Sequence, residues 1–332
     1  NRVTSYRYPT SPFGNAPDQP RMVEDGDETL YRILLGGPAA NAGVSILAEG
    51  AGAQIDPFFL GSPDENTVQG FAGTPVDVNA LTYDYLLPVS AAGASFPRVQ
   101  AFYVSVDSGR DRFDNHPLAG RYVLRSWVND VTPPSLHLLT PRVPTGRPTI
   151  AIRTLDSQSG VDPISLAIGY KGILVGASAY DPDTGVATFP LPKAAPALKA
   201  GTLKLQIMSS DFEEAKNVDT SGTSIMPNTR TISVKLHVGT GPTVSWLSPA
   251  GGVCVAKPQP LAVAAGSTAH VTGVRFLLDG KRIATGRANA DGTWSATWSS
   301  AKAKHGKHVL SAVVRDKRGR SATAKLHVRV CG

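Results

Sequence analysis

Two stretches of the chain follow one plan about 108 residues apart, and this repeat restricts the fold more than any other feature of the sequence. One opens Leu136-His137-Leu138-Leu139-Thr140-Pro141, the other Val244-Ser245-Trp246-Leu247-Ser248-Pro249. Each continues into an alternating run, Pro148-Thr149-Ile150-Ala151-Ile152 against Pro260-Leu261-Ala262-Val263-Ala264, and then passes Gly160-Val161 or Gly273-Val274 into a further strand. Each closes on a strand, an aspartate, a polar turn and a last strand: residues 203–210, Asp211 and 231–238 in one, residues 308–315, Asp316 and 323–330 in the other. A plan repeated at domain length describes two similar domains, each with its own core.

The local pattern within the repeats is that of strands. Leu326, Val328 and Val330 alternate with Lys325, His327 and Arg329, a period of two that puts one set in a core and the other in water. Trp294, Ala296 and Trp298 share a face in the same way. Asp279-Gly280, between Phe276-Leu277-Leu278 and Ile283, has the chemistry of a type I′ hairpin turn, which needs positive φ at both central positions. The third unit holds about seven strand candidates, the number an immunoglobulin-like sandwich requires. Before the repeats, strands are expected at 29–35, 42–48, 82–87, 99–106 and 121–128, separated by Gly-, Pro- and Asp-rich loops. Trp127-Val128-Asn129-Asp130-Val131-Thr132-Pro133-Pro134 ends this first unit, because a Pro-Pro pair cannot donate to a sheet; Val238-Gly239-Thr240-Gly241-Pro242 divides the repeats. The expectation is an all-β chain of three tandem antiparallel β-sandwich modules, 1–131 (jelly-roll-like), 132–239 and 240–332, the last two Ig-like. The longest apolar run, residues 261–265, is far below the roughly 20 residues of a membrane-spanning helix.

The third unit differs from the rest in charge and in cysteine. Residues 240–332 hold 14 Lys+Arg against 3 Asp and no Glu, a net of +11, whereas residues 1–239 sum to −4. Lys302, Lys304 and Lys307 fall in one loop, Arg315, Lys317, Arg318 and Arg320 near a second, and Lys281, Arg282 and Arg287 near a third; Lys325 and Arg329 lie along a strand. Summed positive potential of this kind draws polyanions, so an anionic cell-surface polymer or an acidic neighbouring subunit is the expected partner; the alternative is a face that only keeps the chain soluble. Trp294 and Trp298 pattern as core, leaving no base-stacking aromatics for nucleic acid. The two cysteines, Cys254 and Cys331, stand at the two ends of this unit. They form a disulfide that staples it, or remain two buried thiols; a disulfide requires an oxidising compartment, outside the cell or at its surface.

Asp64-Glu65-Asn66, Gly73-Thr74-Pro75-Val76-Asp77-Val78-Asn79 and Trp127-Val128-Asn129-Asp130 with Thr132-Pro133-Pro134 together resemble the region C-terminal to the catalytic domain of secreted bacterial subtilisin-like serine proteases. Leu278-Asp279-Gly280-Lys281 and Ala312-Val313-Val314-Arg315-Asp316 resemble a bacterial Ig-like domain. The resemblance implies a secreted or surface-borne parent, with an accessory role for this region and a catalytic domain upstream. A subunit of an extracellular filament or lattice is the alternative.

The residues themselves supply no catalytic set. Ser221-Gly222-Thr223-Ser224-Ile225-Met226 lacks the Met-Ala that follows a subtilisin nucleophile, and Asp183-Thr184-Gly185 sits where a hairpin turn is expected. No phosphate-binding glycine loop is present, and no cofactor is expected. Asp156, Asp162, Asp181 and Asp183 flank glycine turns and have the hard oxygens that calcium takes, as do Asp107, Asp111 and Asp114; Asp beside Gly or Pro is equally ordinary turn chemistry.

Overall fold

The structure, a computed structural model, describes the strands at 3–8, 28–34, 42–49, 55–60, 70–71, 82–87 and 101–108, and residues 121–212, 228–255, 258–299 and 303–331. Among the described residues the elements are strands, apart from one 3-10 turn at Pro163–Ser165, and no helix is long and apolar enough to cross a membrane. Cα proximity separates two compact units. One is Asn1–Pro134 with Asp156–Ile164 and Ser210–Thr229; the other is Ser135–Leu155, Ser165–Ser209 and Arg230–Gly332.

The N-terminal part of the first unit contains β1 (Val3–Tyr8), β2 (Glu28–Leu34), β3 (Ala42–Glu49), β4 (Ile55–Leu60), β5 (Gly70–Phe71), β6 (Thr82–Leu87), β7 (Ala101–Ser108) and β8 (Arg121–Val128). They form two antiparallel sheets, ordered β1-β2-β7-β4-β5 and β6-β3-β8. The five strands expected from hydrophobic alternation are β2, β3, β6, β7 and β8. Ile33 and Trp127 are buried.

Among the described residues the two repeats each contribute nine strands. The first supplies β9 (Ser135–Leu138), β10 (Arg142–Pro144), β11 (Thr149–Leu155), β12 (Ala167–Tyr170), β13 (Ile173–Gly176), β14 (Ala179–Asp181), β15 (Val186–Pro190), β16 (Gly201–Ser210) and β17 (Thr229–Gly239). The second supplies β18 (Thr243–Ser248), β19 (Cys254–Val255), β20 (Gln259–Gly266), β21 (Val271–Leu278), β22 (Lys281–Thr285), β23 (Arg287–Ala288), β24 (Thr293–Trp298), β25 (Gly306–Asp316) and β26 (Ser321–Val330). The sheets of the first are β10-β17-β16-β12-β13 and β14-β15-β11-β9; those of the second are β19-β26-β25-β21-β22 and β18-β20-β24-β23. Each strand of one repeat has its counterpart nine strands on. The correspondence extends to the short parallel pairs, β10 with β17 and β19 with β26, in sheets that are otherwise antiparallel.

Turn chemistry fixes equivalent hairpins in the two repeats. Asp279 and Gly280 have φ of 47° and 82°, and Lys171 and Gly172, between β12 and β13, have 49° and 77°. These are type I′ turns, whose twist matches that of the flanking strands. The aspartate was legible as a turn residue; Lys171 offers no such signal.

The last sandwich has a dense core of Val263, Val274, Phe276, Leu310, Ala312 and Val314, all fully buried. Burying a side chain of this size contributes about 1.5–3 kcal/mol. Trp246 packs beside Phe276 with ring centroids 5.6 Å apart, and its indole N–H donates to the Ala324 carbonyl at 3.1 Å. Cys254 and Cys331 are joined, closing a separation of 77 residues. Within the second unit, Ala151 and Val186 of one sandwich meet Leu247 and Ala264 of the next in a small apolar cluster. There the Arg153 guanidinium donates to the Leu247 carbonyl at 2.7 Å.

Candidate functional site

The sheet β19-β26-β25-β21-β22 buries one face in this core and turns the other to solvent. On β26 the split is clean: Val328 and Val330 are buried and Leu326 partly so, while Ser321, Thr323, Lys325, His327 and Arg329 are exposed. Register then decides which side chains of the other strands share the outer face, since directly paired residues point the same way. Lys307 pairs with Arg329, Val309 with His327, Ser311 with Lys325, Val313 with Thr323 and Arg315 with Ser321. One strand further, Arg275 pairs with Val313 and Leu277 with Ser311. At the edge, Arg282 pairs with Leu277.

The outer face therefore collects Arg275, Arg282, Lys307, Arg315, Lys325, His327 and Arg329, all exposed. The three carboxylates of this sandwich are engaged elsewhere. Asp316 is buried and bonds Arg320 at 2.9 Å and the Ser267 hydroxyl at 2.9 Å. Asp279 bonds the His308 ring at 2.6 Å and the Val309 amide at 2.9 Å. Asp291 caps its own turn through Thr293. Among the described residues no carboxylate pairs with a cation of the face, so its potential is uncompensated.

Of the basic residues singled out in the sequence, Arg282, Lys307, Arg315, Lys325 and Arg329 come together here. Lys281 stands at the hairpin, Arg287 belongs to β23 in the opposite sheet, and Lys304, Lys317 and Arg318 occupy loops. Arg320 is held by Asp316, and Lys302 lies outside the described residues. Arg275 was not singled out; only strand pairing reveals its place. The His308 side chain is 14% exposed, and its ring lies between Asp279 and the Lys304 carbonyl. The hydrogen bond to Asp279 raises its pKa, and the Lys304 carbonyl adds to this. Asp279 is lowered, first by the Val309 amide and then by His308.

The aspartates separate into different environments. Asp181 accepts from the Asp183 amide and the Thr184 hydroxyl, an ordinary Asx turn between β14 and β15. Asp162 accepts from the Ile164 amide in a similar turn. Asp156 instead joins Asp130 and Asp211, and carboxylate oxygens of the three lie within 4.8 Å of one another. Asp130 and Asp211 are fully buried, and the Ser159 amide donates to Asp130 at 2.9 Å. Burial raises the Asp156 pKa and Asp130 adds to it, against the Gly160 and Gln158 amides and the Arg125 guanidinium. Hard oxygens at this spacing are what a cation such as calcium takes. Asp162, Asp181 and Asp183 are not members of the group. Asp111 and Asp114, Ser221–Met226, and the motif residues 64–66 and 73–79 lie outside the described residues.

A cleft of about 430 Å³ also opens between the two sandwiches of the second unit. Arg142, Arg147, His270, Asn289 and Trp294 line it, and no carboxylate does. Among the described residues, His308 and His237 do not form a triad: His308 binds Asp279, and His237 binds Thr202 at 3.2 Å.

Residues 242–312 match the family model of a bacterial Ig domain, Big_7. No curated protein matches the chain. Among solved structures it is similar to the fibronectin(III)-like modules of Clostridium thermocellum CbhA, at 19% identity and a TM-score of 0.23, over 59% of this chain and 94% of that one. It is also similar to a modular endo-β-1,4-mannanase from Cellulomonas fimi, at 21% identity and 0.23, over 31% of this chain and 20% of that one. The Ig1-2 module of the Drosophila receptor tyrosine phosphatase DLAR gives 9% identity and 0.23, over 60% and 100%. The chain thus spans nearly all of the CbhA-module and DLAR-module chains and about a fifth of the mannanase. A bacterial Ig domain, a disulfide and tandem β-sandwiches are features of non-catalytic modules of secreted and surface proteins.

Proposed function

We propose that this chain is a non-catalytic accessory region of an exported bacterial protein, and that its last sandwich attaches the assembly to an anionic surface polymer through the outer face of β21, β22, β25 and β26. One observation carries the reading: seven basic side chains share a single sheet face while the three carboxylates of that sandwich are engaged away from it. Uncompensated charge on one flat face lowers stability through self-repulsion and raises the local concentration of polyanions, which is the balance expected of a docking surface. A subtilisin-like protease upstream fits the resemblance of the linker motif and would be the cargo so attached.

The test is retention on cellulose matrices. Phosphocellulose and carboxymethylcellulose should retain the chain at low salt and release it as salt rises, and unmodified cellulose should not retain it. Equal retention on all three would point to neutral sugar recognition and defeat the proposal. The charge asymmetry of the chain, +11 after residue 239 and −4 before it, favours one further reading, head-to-tail association of copies. Sedimentation would reveal it as salt-sensitive growth in mass.

A further inference from the structure

Resting on that reading, we infer that the polymer held by this face is a phosphodiester chain with a three-carbon repeat, of which poly(glycerol phosphate) is the simplest example. The argument starts from β26. Its five outward side chains, Ser321, Thr323, Lys325, His327 and Arg329, are all exposed, and every one of them is able to donate a hydrogen bond. Successive members stand two residues apart on an extended strand, so the ladder repeats at about 6.8 Å. Two peptide residues and one glycerol-phosphate repeat contain the same number of backbone bonds, so an extended chain of either kind advances by nearly the same distance. A phosphate then meets a donor at each step, with Lys325 and Arg329 two repeats apart and Lys307 reinforcing Arg329 from the neighbouring strand.

Beside this ladder runs a strip of half-buried aliphatic side chains, Val309, Val313 and Leu277. Short hydrocarbon units alternating with phosphates have a place to lie there. Among the described residues the face carries no phenylalanine, tyrosine or tryptophan, and the single imidazole of His327 is no run of stacking platforms, which disfavours single-stranded nucleic acid despite its similar backbone. A 1,4-linked polyuronate fits less well, because its rigid rings distribute successive carboxylates around a twofold or threefold screw, so only every second or third charge faces the strand.

The experiment measures binding of the whole chain by fluorescence anisotropy at one fixed salt concentration. Labelled poly(glycerol phosphate), polygalacturonate and oligo(dT), matched in total charge, serve as probes. Poly(glycerol phosphate) should bind about tenfold more tightly than either of the others. The double variant Lys325→Gln/Arg329→Gln should lose that preference, whereas Lys304→Gln/Lys317→Gln, an equal loss of charge off the ladder, should keep it. Equal affinity for poly(glycerol phosphate) and polygalacturonate would overturn this inference and leave anionic attachment standing. Tighter binding of oligo(dT) would replace it with a nucleic-acid surface. No binding to any of the three would overturn the attachment reading itself.

Discussion

Lys307 and Arg329 are directly opposite each other across the β25–β26 ladder, both exposed and both on the outer face. Like charges in this relation repel and destabilise a sheet. Among the described residues neither has a carboxylate partner, and the next outward position along β26 is His327 rather than an acid. A pair that costs stability in the free protein is accounted for if an anion neutralises it in the bound state.

Lys307→Thr should therefore separate folding from binding. Removing the repulsion and placing a β-branched residue on the strand should raise stability by about 0.5 kcal/mol. Denaturant midpoints would show it. The same substitution should weaken polyanion binding and lower its salt dependence by about one unit of slope. A variant that is both less stable and equally good at binding would contradict the assignment of this pair.

The His308–Asp279 contact should be visible as a pH dependence. Because His308 is raised, the folded protein holds that proton more tightly than the unfolded chain, so this contribution is full at low pH and fades as pH rises through the raised value. Because Asp279 is lowered, its contribution is full above the ordinary carboxylate range and fades as pH falls through the lowered value. Together they are strongest between about pH 4 and pH 6.5. Asp279→Asn keeps the turn, since Asn-Gly suits type I′, and its amide oxygen still accepts from Val309. NMR titration should find the His308 pKa lower in Asp279→Asn than in the parent, and the stability difference between the two should shrink above neutral pH.

Opening the Cys254–Cys331 bridge should destabilise the last sandwich. Closing a separation of 77 residues removes chain entropy from the unfolded state, a contribution of about 4 kcal/mol in the loop-entropy model. Urea unfolding with and without reductant should differ by that order for the parent. Cys254→Ser/Cys331→Ser should unfold at one midpoint under both conditions.

Phe276→Ala should be among the most damaging single changes in this sandwich, because Phe276 is fully buried against Trp246. Truncation leaves a cavity and costs about 3–5 kcal/mol. Trp246 fluorescence, followed through chemical unfolding, should report an earlier transition. Phe276→Leu, which keeps most of the volume, should retain much of the stability.

The repeat, the outward set on β26 and the Asp279-Gly280 hairpin were legible because each is written in neighbouring residues. The binding face was legible only in part. Lys325 and Arg329 alternate on one strand, but Arg275 and Arg282 reach the same face through the register of β21 with β25 and of β22 with β21, and no local pattern specifies a register between distant strands. The same holds for Asp279 and His308, 29 residues apart. Asp130, Asp156 and Asp211, whose grouping depends on three separate loops, were hidden for that reason too. Sequence spacing paired Asp156 with Asp162 instead, where the chain builds a turn.

The most direct test compares the salt dependence of polyanion binding in two triple variants of equal charge. Lys307→Gln/Lys325→Gln/Arg329→Gln removes three cations from the face, and Lys193→Gln/Lys199→Gln/Lys204→Gln removes three exposed cations from the preceding sandwich. With a soluble sulfated polysaccharide as probe, the parent and the second variant should give the same steep fall of log K with log salt, and the face variant a slope shallower by about 2. Equal slopes for the two triple variants would show that net charge alone governs binding, and the β21-β22-β25-β26 face would lose its role.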